Sequence, residues 1–229
     1  MFRRLIPLTL MAALLALSPA RPADDSDKGG GIYEGFTRLF NGKDLTGWKA
    51  SGKMEDWGVE DGLLFTKGGG GGWLMSDKEY SDFEVYVDFK MPIPTAEKGG
   101  GNSGVAIRAP FEGDAAYQGM EIQLLDDVWH KEHLKDLKPV QLTGAIYGVV
   151  APSEEALKPV GEWNRIHITA KGRHVTVELN GVKTVDADLD EHKDAFKAHP
   201  GLTRDKGHIG LQSHSNRVEF RNIYVKELE

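Results

Sequence analysis

An all-β fold, a sandwich or barrel of short antiparallel strands, is what this sequence predicts, on three observations. Apolar and polar residues alternate with a period of two in one segment after another, which places them on opposite faces of strands. Asn-Gly and Asp-Gly pairs, strong hairpin signals, punctuate these segments at Asn41-Gly42, Asp61-Gly62 and Asn180-Gly181. Glycine is abundant, at 28 of 229 residues, and favours turns over helix. Many short strands at this spacing form sandwiches or barrels, and a jelly roll is the expected way of joining them.

The chain opens MFRRLIPLTLMAALLALSPA, with two arginines, an apolar run and small residues in the order of a secretory signal. Residues 1–20 are assigned to that signal, with cleavage after Ala20. The apolar run is too short for a comfortable membrane span and is interrupted by Pro7. The expected protein is exported, periplasmic or secreted, with no membrane insertion once the signal is gone. Residues 21–34 are polar and Gly-rich and read as a flexible linker. One domain, residues 35–229, follows.

Within it, WGVEDGLLFTK reads as a hairpin about Asp61-Gly62. The run Gly68 to Gly72 allows a close backbone approach, with a slack surface loop as the plainer reading. Phe83, Val85, Val87 and Phe89 alternate with Glu84, Tyr86, Asp88 and Lys90 in the clearest strand of the chain. VWHKEHLKDLKPVQ reads as a charged loop or one helical turn. Its His130-x-x-His133 pair has no evident third ligand, so a solvated loop is favoured over a metal site. TGAIYGVVAP reads as a strand with Tyr147 on the face opposite Ile146, and SEEALKP as a short helical turn capped by Ser153. A strong hairpin spans residues 162–188, with His167 and His174 at its surface. A short helix or long loop then precedes two closing strands.

The chemistry is expected between residues 102 and 127, NSGVAIRAPFEGDAAYQGMEIQLLDD, read as two strands joined by a turn-rich loop. Val105, Ile107, Met120, Ile122 and Leu124 make one face aliphatic. The other carries Arg108, Tyr117, Glu121 and Gln123, more like a binding floor than an ordinary solvated face. A cross-strand Arg108–Glu121 ion pair is the structural alternative. Net charge is −7, and loss of residues 1–20 removes Arg3, Arg4 and no acid, giving −9. That argues against nucleic acid and anionic membranes as partners. With no cysteine there is no disulfide framework. The sequence carries no nucleophile elbow, phosphate loop or dinucleotide fingerprint.

Several stretches share one pattern: LFNGKDLTGW, WGVEDGLL, NSGVAIR, the segment from Tyr117 to Asp126, TGAIYG, the Gly161-Glu162-Trp163-Asn164 step with its LNG turn, and GHIGLQSHSNRVEFRNIYVKEL. On these the chain resembles an exported family, formerly a domain of unknown function, described as 3-keto-disaccharide (3-keto-glycoside) hydrolases. The resemblance covers residues 36–228. It implies a concanavalin A-like jelly roll of two curved antiparallel sheets with a sugar-binding concave face. Arg108, Glu121 and Gln123 would line that face, joined by Gln212 and His214 from the last strands. Tyr147 and Trp163 are candidate sugar platforms, with burial in the core as the commoner fate of such residues.

The resemblance also implies a reaction. A ketone at sugar carbon 3 acidifies the hydrogen on carbon 2, so a base can remove it while the glycosidic oxygen leaves carbon 1. Water then adds to the unsaturated product. Glu121 and His214 are the candidate acid/base pair, in either order, and Arg108 the stabiliser of the enolate. Asn102, Tyr117, Gln123, Tyr147 and Gln212 would bind the carbohydrate substrate. A separate sugar 3-oxidoreductase would have to supply the keto sugar. No cofactor is certain; Asp126 and Asp127 offer a site for a divalent metal such as calcium, or are plain turn residues. Two rivals stand beside this reading. Glu121 and Asp126 have the spacing of laminarinase-like retaining glycosidases, which use two carboxylates about 5–5.5 Å apart, although Gln123 replaces the middle acid. A non-catalytic carbohydrate-binding module needs the fold and no titrating pair.

Overall fold

The computed structural model describes residues 33–229. The proposed signal and most of the linker, residues 1–32, lie outside the described residues. The described strands are Thr37–Arg38 (β1), Trp48–Ser51 (β2), Trp57–Glu60 (β3), Leu63–Thr66 (β4), Trp73–Tyr80 (β5), Phe83–Lys90 (β6), Asn102–Ala109 (β7), Met120–Leu125 (β8), Trp163–Lys171 (β9), His174–Leu179 (β10), Val182–Asp188 (β11), Gly207–Gln212 (β12) and Glu219–Glu227 (β13). Two short helices, Ala115–Gln118 (α1) and Asp127–His133 (α2), bracket β8.

These strands form two antiparallel sheets, in the expected concanavalin A-like sandwich. One runs β11-β10-β9-β6-β13-β4-β3, with β1 also paired to β13; the other runs β2-β5-β12-β7-β8. The core lies between them and takes the alternate residues of each strand. Phe83, Val85, Val87 and Phe89 of β6 are fully buried there, facing Val105, Ile107, Ile122 and Leu124 of the smaller sheet. The β10–β11 turn has Asn180 at φ 54° and Gly181 at φ 85°, the left-handed pair that a two-residue hairpin demands.

Four segments depart from the expectation. Residues 143–150 are not a strand: Gly144 and Gly148 take φ of 87° and 74°, and only isolated bridges from Ile146 remain. Ser153 caps no helix; its hydroxyl and N–H both donate to the Thr184 carbonyl, at 3.2 and 2.8 Å. Tyr33, placed by sequence in the linker, stacks on Tyr224 with ring centroids 4.1 Å apart. Residues 127–133, read as a loop or single turn, form α2, whose N-terminal N–H of Trp129 is capped by the Asp126 carboxylate at 3.1 Å.

Candidate functional site

The site lies on the outward face of the five-stranded sheet. Residues two apart on each strand point there: Asn102, Gly104 and Ala106 on β7, Glu121 and Gln123 on β8, Gly210 and Gln212 on β12, Trp73 and Met75 on β5. The residues between them join the core on the other side. The register sets Ala106 opposite Glu121 and Gly104 opposite Gln123, while Gly210 faces Ala106 from the other strand. Small residues therefore pave the middle of the face.

Glu121 is 3% exposed and lies across the bare backbone of Gly104. A Cβ at Gly104 would stand 2.0 Å from Glu121 Oε1. Oε1 has no hydrogen-bond partner. Burial, reinforced by the charge of Asp114, pushes the Glu121 carboxyl up to about 8, so it keeps its proton at neutral pH. By register Gln212 flanks Gly104 from the opposite side, and its Oε1 is also buried without a partner. Two bare acceptors thus flank one glycine, an arrangement that calls for donor groups from a ligand. Gln123 is beside them, but its Oε1 is taken by the Leu124 N–H at 3.0 Å.

An aromatic wall closes one side. Residues 143–147 run along the free edge of β8, and the Tyr147 N–H donates to the Glu121 carbonyl at 2.9 Å. Tyr147 thereby stands next to Glu121. Tyr117, expected on the strand, sits on α1 instead; it is 40% exposed, edge-on to Tyr147 at 6.4 Å and stacked on His199 at 5.0 Å. Sequence reasoning missed His199, because nothing local marks it. It enters the wall only because Gly148 leaves room: a Cβ there would be 2.7 Å from the imidazole. Burial lowers the His199 pKa, so the ring is neutral at pH 7.

His214 leaves the end of β12 near Asn102. Its side chain is exposed by area, yet the surrounding protein hems in the ring enough that burial, and then neighbouring His130, lower its pKa. His130, which sequence reasoning left in a solvated loop, is only 8% exposed on α2 and hydrogen-bonds through Nδ1 to the Asp126 carbonyl at 2.9 Å. Glu121 and His214 share no hydrogen bond: Glu121 Oε1 has no partner, and His214 Nδ1 meets the Ser215 hydroxyl at 3.2 Å. The Glu121 carboxyl reaches over Gly104, which is two residues of β7 from Asn102, about 7 Å at the usual strand rise.

Other expected members are elsewhere. Arg108 takes φ 48° beside an irregular β7–β12 pairing, which turns its side chain off the Glu121 face. It is 0% exposed and donates to the Ser81 carbonyl at 2.9 Å, the Gly172 carbonyl at 2.7 Å and the Asp82 carboxylate at 3.0 Å. It ties the β5–β6 connection between the sheets and the β9–β10 turn of the larger sheet to β7, and cannot stabilise an enolate over Glu121. Trp163 lies on the outward face of the other sheet and is no platform for this site. Asp126 is past the end of β8 as the α2 cap, and Asp127 accepts from the Thr143 N–H and hydroxyl, both at 3.0 Å. Neither is arranged as a metal ligand pair, and no group of three or more His, Asp or Glu among the described residues could hold a metal ion.

Residues 35–226 match the family model of the 3-keto-alpha-glucoside-1,2-lyase-like domain. The chain belongs to this family. A 3-keto-disaccharide hydrolase of Bacteroides thetaiotaomicron is 25% identical over 236 residues, covering 86% of this chain and 79% of that protein. Two crystal structures from Parabacteroides distasonis, provisionally designated glycosyl hydrolases, superpose with TM-scores of 0.74 and 0.69 at 29% and 31% identity. They cover 86% and 84% of this chain and 95% and 99% of their own. A carbohydrate-binding module of Bacillus subtilis, 14% identical with TM-score 0.54 over 79% of this chain and 96% of its own, shares the fold. Membership of the lyase-like family and these relatives support a glycosyl hydrolase-like, carbohydrate-active function.

Proposed function

We propose that the chain cleaves the glycosidic bond of 3-keto-glycosides or 3-keto-disaccharides by elimination and hydration, on the face that holds Glu121. The observation that carries this is the Glu121 carboxyl, buried on Gly104 with a bare oxygen and a pKa near 8. A carboxyl so placed holds a proton at neutral pH and can give it to a leaving oxygen. The lowered pKa of His214 leaves a neutral imidazole, the form that accepts a proton, which favours His214 as base and Glu121 as acid. The base takes the carbon 2 hydrogen, the electron pair forms the carbon 1–carbon 2 double bond, and the carbon 1–oxygen bond breaks with the proton from Glu121. Water then adds, its hydroxyl to carbon 1 and a proton to carbon 2. With Arg108 withdrawn, the amides of Asn102 and Gln212 are the donors available to the enolate oxygen. A separate oxidoreductase supplies the keto sugar in this scheme.

One observation favours a second reading. The separation of Glu121 from His214 suits a carbohydrate-binding module that needs no coupled pair. The laminarinase-like reading has less support, because Asp126 spends Oδ1 on capping α2. Product analysis by NMR in deuterated water separates all three. A 3-keto-glucoside and its unoxidised parent are each incubated with the protein and with Glu121→Gln. Cleavage of the keto sugar alone, with deuterium at carbon 2 and a loss of about 10²–10⁴ in rate in the variant, is expected. Cleavage of the parent without exchange would support the retaining glycosidase, and binding without cleavage the module.

A further inference from the structure

The larger sheet carries a second cleft on its own outward face, across the sandwich from Glu121. It encloses about 530 Å³, within the range of small-ligand sites, and Asp88, Lys158, Trp163, Arg165 and Arg221 are among its walls. A bulge in β13 builds it. Pairing with β6 shifts between Arg221 and Tyr224, and Asn222 takes φ 50°, so the consecutive side chains of Arg221 and Asn222 both reach Asp88.

Asp88 is 4% exposed and already well partnered. Arg165 binds both its oxygens, at 2.6 and 3.0 Å, and Asn222 donates to it at 2.9 Å. Arg221 stands off at 3.7 Å, and its Nε is buried with no hydrogen-bond partner. One carboxylate therefore faces two guanidinium groups, and the second is left short of an anion. The Arg221 guanidinium lies 4.1 Å over the ring of Trp163, a cation–π contact that fixes it beside the cleft. Lys158 adds a cation on the same rim, its Nζ donating to the Trp163 carbonyl at 3.2 Å. The remaining acid of the wall, Glu178, is 3.6 Å from His167. This surplus of positive charge sits in a chain whose net charge is −7.

We propose that this cleft binds the anionic group of an acidic saccharide, a carboxylate or a sulfate ester, with Arg221 as the planar fork and Lys158 as the second cation. It would give the protein a carbohydrate anchor separate from the Glu121 face. The test is calorimetric titration of the full chain with methyl glucuronide, glucose 6-sulfate and, as the neutral control, methyl glucoside. Both anionic sugars should bind at least about tenfold more tightly than the neutral one, and more weakly as salt is raised. Arg221→Gln should lose that advantage, Arg221→Lys should keep part of it, and Glu121→Gln should leave it unchanged. If only one anionic sugar shows the advantage, that sugar identifies the group. Equal affinity for neutral and anionic sugars, no measurable binding of either anion, or an unchanged affinity in Arg221→Gln would overturn the proposal. So would loss in Glu121→Gln, which would locate the binding on the other sheet. Should Arg221→Gln fail to fold, Lys158→Gln serves as the variant, with the same tenfold criterion.

Discussion

Glu121 holds its proton in the folded state across a pH range in which the unfolded chain has released it. Its carboxyl rises from an ordinary 4.5 to about 8, chiefly through burial. Below pH 4.5 both states are protonated and the residue adds no pH dependence. From there to about pH 8 the folded state binds the extra proton, so stability falls as pH rises. Glu121→Gln keeps the shape and removes the ionisation. The variant's thermal midpoint should therefore gain on the parent's between pH 4.5 and 8, by the equivalent of on the order of a few kcal/mol. Parallel pH curves for the two proteins would mean that the carboxyl is not held neutral. Arg108 is the opposite case, a buried charge kept charged. Desolvation lowers its pKa, but Asp82 and two carbonyls from interstrand turns retain the proton. Arg108→Met should destabilise by about 3–5 kcal/mol, since it strands those acceptors. Lysine, with no planar fork, should restore only part. Urea midpoints measure this, and cleavage per folded molecule should not change.

At the scale of elements, the β7–β8 pair makes the site by alternating bulk on one face and absence on the other. Val105, Ile107, Ile122 and Leu124 anchor the pair in the core, and Gly104 clears the space that Glu121 occupies. Gly104 has no unusual φ, so alanine is tolerated by the backbone there. Its Cβ would still displace the flexible Glu121 carboxylate. We expect Gly104→Ala to fold with a stability change of about 1–2 kcal/mol. Turnover of the keto sugar should nevertheless drop severalfold or more, read from the same NMR assay beside a melting curve. Full activity in a folded Gly104→Ala would show that the position of Glu121 over Gly104 is not used. The faces of β7 and β8 were legible because period-two alternation is local. Arg108 broke the pattern through a left-handed φ at the end of a strand, which no side-chain alternation announces. Residues 143–150 misled for a related reason: their apolar run resembles a strand, while Gly144 and Gly148 fold it into turns against β8.

For the whole molecule, we propose export, since residues 1–20 have the charge, apolar and small-residue order of a secretory signal. Mass spectrometry of the protein recovered from the extracytoplasmic fraction should find Arg21 at the amino terminus. A full-length chain confined to the cytoplasm would refute this. The sequence by itself determined the fold class, the strong hairpins and which faces of β6, β7 and β8 look inward. These follow from neighbours in the chain, through alternation and turn chemistry. It also determined the family, through motifs spread across the domain. Tertiary structure alone decided that Glu121 is buried over Gly104, that His199 backs Tyr117, and that Arg108 and Trp163 belong elsewhere. It also decided that Asp126 caps a helix and does not pair with Glu121. Each of these depends on which distant segment arrives beside the residue, and therefore on bulges, glycine clearances and sheet order. Burial and partners set a carboxyl's proton affinity, and neither is a property of the residue's own stretch of chain.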